Sequence, residues 1–244
     1  VAQSFQRWAK QKYLTKTYHR SIDWFHLGAD LGNSMPTTGL PSDAETVLQR
    51  IRSAASFLMV GTLEPRKGHT QVLEAFERLW SQGAPCQLVL VGRAGWRVEA
   101  LLERLRQHPR RQTQLFWLEG ISDEYLEKIY AASTCLIAAS YGEGFGLPLI
   151  EAAQHKLPIM ARDIAVFREV AGEHAYYFDG LAPQDLASAI ERWLALHASG
   201  QHPRSDAMPW LTWAQSAQQL LQRILPASAQ PGSQPLHNTS QIGL

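Results

Sequence analysis

From about residue 55 the chain alternates two patterns. Short unbroken apolar runs are followed by longer segments whose apolar residues recur every three or four positions. The runs are SFLMVGT, CQLVLVG, QLFWLEG, CLIAAS and LPIMAR, with a short YYF after them. Strands covered on both faces read this way, because neither face meets water. Between the runs, HTQVLEAFERLW puts Val72, Leu73, Phe76, Leu79 and Trp80 on one helical face. WRVEALLERLRQ, SDEYLEKIYAAS, LPLIEAAQH and FREVAG predict further helices, and PQDLASAIERWLALHAS and WLTWAQSAQQLLQRIL close the series. Ser122 suits an N-cap, with Asp123 and Glu124 where the helix dipole favours acids. Strand and helix alternating at this rhythm predict an α/β fold: a Rossmann-like parallel sheet with helices on both faces.

The regions outside this alternation differ. Residues 1–20 are polar and basic (Arg7, Lys10, Lys12, Lys16, Arg20) and compatible with a helix. IDWFHLGADL reads as a short strand, and GNSMPTTGLPSDAE, residues 32–45, as loop. From Pro226 the chain is rich in Pro, Ser and Gln without an apolar period, so disorder is expected. The expected organisation is 1–50 as a leading segment, 51–225 as the α/β domain and 226–244 as tail. The chain starts at Val1, as a fragment or a processed chain would.

Composition removes several function classes. A net charge of +1 over 244 residues gives no global footprint for nucleic acid. No apolar run reaches the roughly 18 residues of a membrane span, and the start lacks a signal-peptide layout. Cys86 and Cys135 lie in apolar strand-like runs and read as buried free thiols, which suits a reducing, cytoplasmic setting. His69, His155 and His174 lack metal-ligand spacing and read as structural.

In an open parallel sheet, ligands bind beyond the carboxyl ends of the strands. After the first strand comes GTLEPRKGH. Gly61 permits a tight turn, and Arg66 and Lys67 precede a helix, where free amides and the dipole add to their charge in an anion site. The plainer alternative is a solvated basic turn. After the second strand, GRAGW lets Gly92 and Gly95 bring backbone close to a neighbour. A dinucleotide fingerprint fails here on order, because the pattern does not follow the first strand and no acid ends the next one.

After the fourth strand comes YGEGFGLPLIEAA. Pro148 suits a first helical turn. Gly144, Phe145, Gly146 and Leu147 then form the loop and helix mouth, with amides free for phosphate oxygens. Glu151 is expected in the first turn, where the dipole favours a carboxylate that accepts two hydrogen bonds from a ribose diol. Glu143 would accept from a sugar hydroxyl or steady positive charge. Otherwise Glu151 only stabilises the helix and Glu143 is a solvated acid. Together the three loops suit a diphosphate with a ribose on one side and a sugar on the other.

EGFGLPLIE resembles the E-x7-E signature of retaining GT-B glycosyltransferases of family 4 (glycosyl transferases group 1). VGTLEPRKG, VLVG, EGISDEYLEKIYAAS and RDIAVFREVAG stand in that family's order, over residues 55 to 225. FHLGADL, near 20–30, resembles the segment between that fold's two domains. The resemblance implies the C-terminal, donor-binding half of a GT-B fold, preceded over 1–50 by the end of the N-terminal domain and the interdomain segment, and a fragment that is inactive on its own. It implies that Lys67 and Arg66 bind the donor diphosphate, Glu151 the ribose and Glu143 the donor sugar near its 3-hydroxyl. Backbone at Phe145, Gly146 and Leu147 would meet sugar and phosphate, Gly61 and Gly92 would line the nucleotide, and Ile121 would border the base. Many relatives carry arginine where this chain has Thr62, so Arg66 would supply the missing charge.

The implied reaction is retaining transfer of a hexose from a nucleotide sugar to a glycan or lipid-linked saccharide. No metal or other cofactor is implied, since cations replace it, and no nucleic acid partner. The EPRK and RDIAVFREV wording resembles mannosyltransferase-like members and points to GDP-mannose. The enzyme would act in the cytoplasm; the basic N-terminal segment reads either as a solvated helix, or one covered by a further domain, or as a contact with anionic lipid at the inner membrane face. The rival readings are a sugar-nucleotide epimerase of the same fold and a non-catalytic nucleotide-binding module.

Overall fold

The computed structural model describes residues 7–8, 23–30 and 35–225. Most of the basic segment and the tail from Pro226 lie outside the described residues, and with them the helix and disorder expected there. By contact the chain divides into two compact units, residues 1–30 with 211–244 and residues 31–210.

The 31–210 unit carries six strands: β1 Ser56–Val60, β2 Gln87–Val91, β3 Leu115–Leu118, β4 Cys135–Ala138, β5 Ile159–Arg162 and β6 Tyr176–Phe178. All pair in parallel, in the order β3-β2-β1-β4-β5-β6. Every apolar run thus became a strand, and β2 and β5 are buried along their whole length. The order reverses between β1 and β4, where Phe57 pairs with Cys135 and Leu58 with Leu136. At such a reversal the flanking connections leave in opposite directions and open a crevice at the carboxyl ends.

The helices of this unit are α1 Ala44–Arg52, α2 His69–Ser81, α3 Glu99–Gln107, α4 Asp123–Ala132, α5 Leu147–Gln154, α6 Ala165–Ala171 and α7 Pro183–Ala198. Helix α1 begins inside the expected 32–45 loop. Its amphipathic pattern, with Leu48 and Ile51 buried, was masked by the Gly- and Pro-rich residues before it. The Ser122 hydroxyl accepts from the Tyr125 amide at 3.1 Å and caps α4 as expected. The apolar face of α2 meets β1 and α7 at an aromatic centre. Phe57 lies edge-on to Phe76 at 5.5 Å and to Trp193 at 5.3 Å, and all three are fully buried. Burying each such ring removes apolar surface worth about 1.5–3 kcal/mol from water. Cys86 and Cys135 are buried free thiols, and burial pushes the Cys86 thiol up to about 11.

In the other unit, α8 Trp213–Ile224 opens with a reciprocal cap. The Thr212 hydroxyl accepts from Gln215, and the Gln215 side chain accepts from the Thr212 amide. The strand expected in IDWFHLGADL is a single bridge, Gly28 to Leu211, among the described residues. The chain beyond Leu211 turns at once into α8, whose backbone groups bond within the helix, so no ladder can extend. The Ser216 hydroxyl donates to the His26 carbonyl at 2.7 Å, and Arg223 pairs with Asp23 at 3.0 Å.

Candidate functional site

Two loops meet where the sheet order reverses. After β1, Pro65–Lys67 form a single 3-10 turn, and Gly68 takes a left-handed conformation (φ 78°) to start α2. A side chain at Gly68 would also overlap the Ala139 carbonyl oxygen at the end of β4. Glycine satisfies both demands at once and lets the cationic turn lie against the β4 loop. The Tyr141 amide donates to the Arg66 carbonyl at 2.8 Å and stitches the loops together.

This contact brings the charges into register. The Lys67 ammonium donates to Glu143 Oε2 at 2.8 Å, with both side chains largely buried. The Arg66 guanidinium donates to both Glu143 oxygens at 3.2 Å and pairs with Glu64 at 2.9 Å. The Ser140 hydroxyl adds a bond to Glu143 at 3.1 Å. Burial pushes the Glu143 carboxyl up, but the bonds and charge of Lys67 and Arg66 outweigh it and hold the group below its ordinary value. The site therefore contains an ionised carboxylate clamped by two cations.

A cleft opens here, lined by Met59 and Val60 of β1, Ile137 and Ala138 of β4, and by Lys67, His69, Ser140, Glu143, Gly146 and Phe167, among others. The structure therefore gathers Lys67, Glu143 and Gly146 in the cleft, with Arg66 bonded at its edge. Gly61 stands beside the Lys67 ammonium, and Gly92 abuts the Gly61 carbonyl so closely that a side chain there would overlap it. Thr62 continues the loop against Gly95. Phe145 and Leu147 flank Gly146, the left-handed N-cap of α5. Ile121 lies half-buried at the end of β3, two strands from β1, and is not among the cleft residues.

Glu151 departs from its expected position. Because Gly146 is the cap and Leu147 the first helical residue, no acid lies in the first turn of α5. Glu151 stands one turn further in and is largely shielded, so a partner other than the helix end stabilises it. The Tyr130 hydroxyl of α4 donates to Glu151 Oε2 at 2.7 Å. Burial drives the carboxyl up; the Tyr130 bond opposes that and Asp123 reinforces it, leaving the group raised.

Sequence reasoning read His69 as merely structural and did not single out Ser140 or Tyr130 as site residues. His69 is 3% exposed, and its Nδ1 has no hydrogen-bond partner. Burial first, then the Lys67 charge, lower it to about 4 against a carbonyl at Glu64 that works the other way. A neutral imidazole thus lies under the cations. Its signal in the sequence was its place directly after RKG at the start of α2. Among the described residues, no three His, Cys, Asp or Glu side chains converge to hold a metal ion, and no helix is long and apolar enough to cross a membrane.

Residues 49–207 match the family model for glycosyl transferases group 1. The chain is 53% identical over 235 residues to the serotype-specific mannosyltransferase WbdA of Escherichia coli, covering 94% of this chain and 29% of that protein. The chain thus spans under a third of the length of that relative. A glycosyltransferase from Rickettsia africae ESF-5 shares the fold with a TM-score of 0.65 at 17% identity, over 91% of this chain and 61% of that one. The C-terminal domain of a group 1 glycosyl transferase, LpcC, from Francisella tularensis matches with a TM-score of 0.53 at 19% identity, over 75% of this chain and 93% of that one. The chain belongs to the glycosyl transferases group 1 family, with the Rossmann-like architecture of the C-terminal half of a GT-B fold.

Proposed function

We propose that the protein carrying this chain is a mannosyltransferase. It moves mannose, with retention of configuration, from a nucleoside-diphosphate sugar to a glycan or lipid-linked saccharide, and this chain holds the donor. The observation that supports this most is the convergence of Lys67, Arg66 and Glu143 on a cleft at the sheet reversal. The 53% identity to a mannosyltransferase supports the sugar.

In this reading the donor diphosphate takes the place of the Glu143 carboxylate beside Lys67 and Arg66. As the bond from the anomeric carbon to phosphate breaks, negative charge grows on the leaving diphosphate, and the two cations and the amides at the mouth of α5 stabilise it. Freed from its partners, Glu143 accepts a hydrogen bond from a sugar hydroxyl. Glu151, anchored by Tyr130, accepts from the ribose diol. Thr62 contributes no charge, and Arg66 supplies it.

Incubating the full-length protein with labelled GDP-mannose and UDP-hexoses, with and without a mannan-type acceptor, tests this. Acceptor-dependent mannosyl transfer with an α-linked product is the expected result. Conversion of donor alone to an epimer, or no turnover with any donor, would overturn it.

A further inference from the structure

One buried cation takes no part in the site described so far. Arg162, the last residue of β5, is 5% exposed. Its guanidinium donates from Nε to the Ala139 carbonyl at 3.0 Å, from Nη1 to the Gly180 carbonyl at 2.6 Å, and from Nη2 to the Gln71 side-chain oxygen. Gln71, itself 3% exposed on α2, passes the connection on by donating to the carbonyls of Gly180 and Ala182 at 3.3 and 3.0 Å. The guanidinium also lies over the rings of Tyr141, at 4.6 Å, and Phe178, at 5.1 Å. All of its hydrogen bonds go to neutral groups, and among the described residues no carboxylate is within bonding distance. Asp179 favours its charge from beyond hydrogen-bond reach, yet a buried cation whose hydrogen bonds all go to neutral groups is expensive to keep. Aliphatic packing would fill the space more cheaply.

What it holds explains the expense. Ala139 is the residue whose carbonyl oxygen faces Gly68, at the end of the cationic turn. Tyr141 is the residue whose amide bonds the Arg66 carbonyl. Ser140, between them, bonds Glu143. The Arg162 guanidinium therefore grips, by one hydrogen bond and one ring stack, both sides of the backbone segment against which the Arg66–Gly68 turn is seated. Through Gln71 the same group also ties down the first turns of α2, which begin at the neighbouring His69.

We infer that Arg162 is a positioning residue for the donor diphosphate: by fixing Ala139 and Tyr141 it sets the spacing between the Arg66–Lys67 turn and the Glu143 loop. It does not touch the donor. This rests on the donor-binding reading above.

The test is calorimetric binding of GDP, UDP, guanosine and uridine to the full-length protein and its variants. Arg162→Met removes the hydrogen bonds. Tyr141→Leu removes the stack from a ring that is 44% exposed, so this variant folds even if the other does not. Tyr141→Phe restores the ring. The expected result is a loss of roughly tenfold in affinity for the diphosphate in Arg162→Met, and about fivefold in Tyr141→Leu, from removing a buried charged contact or a cation–π contact. Affinity for the free nucleoside should stay within about twofold, and Tyr141→Phe should recover the parent value, as a stacking role requires. A fold merely loosened by substitution would weaken nucleoside and diphosphate together, and that outcome contradicts a positioning role. Unchanged diphosphate affinity in Tyr141→Leu also contradicts it. A parent protein that binds neither diphosphate overturns the donor-binding reading, and this inference with it.

Discussion

Lys67 and Glu143, 76 residues apart in the chain, meet at 2.8 Å between ammonium and carboxylate in the crevice where the sheet order reverses. The carboxylate takes the place an anionic ligand needs. On the proposed reading donor binding exchanges one anion for another, and the loss of Glu143 should have two opposite consequences. In Glu143→Gln the cations are freed, so GDP should bind several-fold more tightly, while transfer from GDP-mannose falls by about 10² as the sugar loses an ionised acceptor. Parallel calorimetry and transfer assays check this; weaker GDP binding together with unchanged transfer would refute it.

Removing a cation acts in one direction only. Lys67→Ala should lower transfer by roughly 10² to 10³, the usual cost of deleting one charged donor to a developing anion. Arg66 is 46% exposed and shared with Glu64, so Arg66→Ala should cost less, about tenfold. Initial rates at saturating donor measure both.

Gly68→Ala probes the geometry that seats the turn. The left-handed backbone and the overlap with the Ala139 oxygen add, so a stability loss of about 2–4 kcal/mol is expected in urea unfolding. Gly83→Ala shares only the positive φ, since nothing lies near a side chain there, and should cost about 1 kcal/mol.

Much of this site could be read before the structure. The apolar runs fixed all six strands, and with them the loops at the carboxyl edge. RKG and EGFGLPLIE then offered Lys67, Arg66 and Glu143, but a solvated basic turn and a solvated loop acid fitted each stretch alone, and only the fold brings the three together. The start of α5 was harder to place. Pro148 is acceptable at either of the first two helical positions, and only the left-handed Gly146 decides that Leu147 comes first, which moves Glu151 out of the first turn. Tyr130 and Arg162 escaped for a different reason. A tyrosine in an amphipathic helix and an arginine ending a strand each look ordinary locally, and their hydrogen-bond partners lie 18 to 91 residues away.

Tyr130 supplies the next prediction. Its hydroxyl is the hydrogen bond that opposes burial at Glu151. Tyr130→Phe should cost about 1–3 kcal/mol by leaving a buried carboxylate short of a partner. It should also raise the Glu151 carboxyl further. A carboxyl raised in the folded state favours folding below its unfolded value and opposes it as pH rises through the folded value. The penalty should therefore be larger at pH 7 than at pH 4. A penalty independent of pH would contradict the bond's role.

His69 should dominate acid sensitivity. Its ordinary value of 6.5 falls to about 4 in the fold. An unfolded chain then binds a proton at this ring that the folded chain refuses. The His69 contribution is complete above pH 6.5 and declines as pH falls towards 4, by roughly 3 kcal/mol at about 1.4 kcal/mol per unit. Glu143, held below its ordinary 4.5, extends the decline to lower pH. His69→Gln should make the fall between pH 6.5 and 4 shallower in urea titrations, leaving the share of His108, His155 and His202, which burial also lowers, and the part at lower pH.

The most direct measurement is calorimetric titration of GDP and UDP into the full-length protein and its Lys67→Ala variant, at low and at raised ionic strength. A diphosphate held by Lys67 and Arg66 should bind the parent, weaken with salt, and lose at least about tenfold in affinity in the variant. Equal affinity in parent and variant, independent of salt, would mean that the cations facing Glu143 hold no diphosphate.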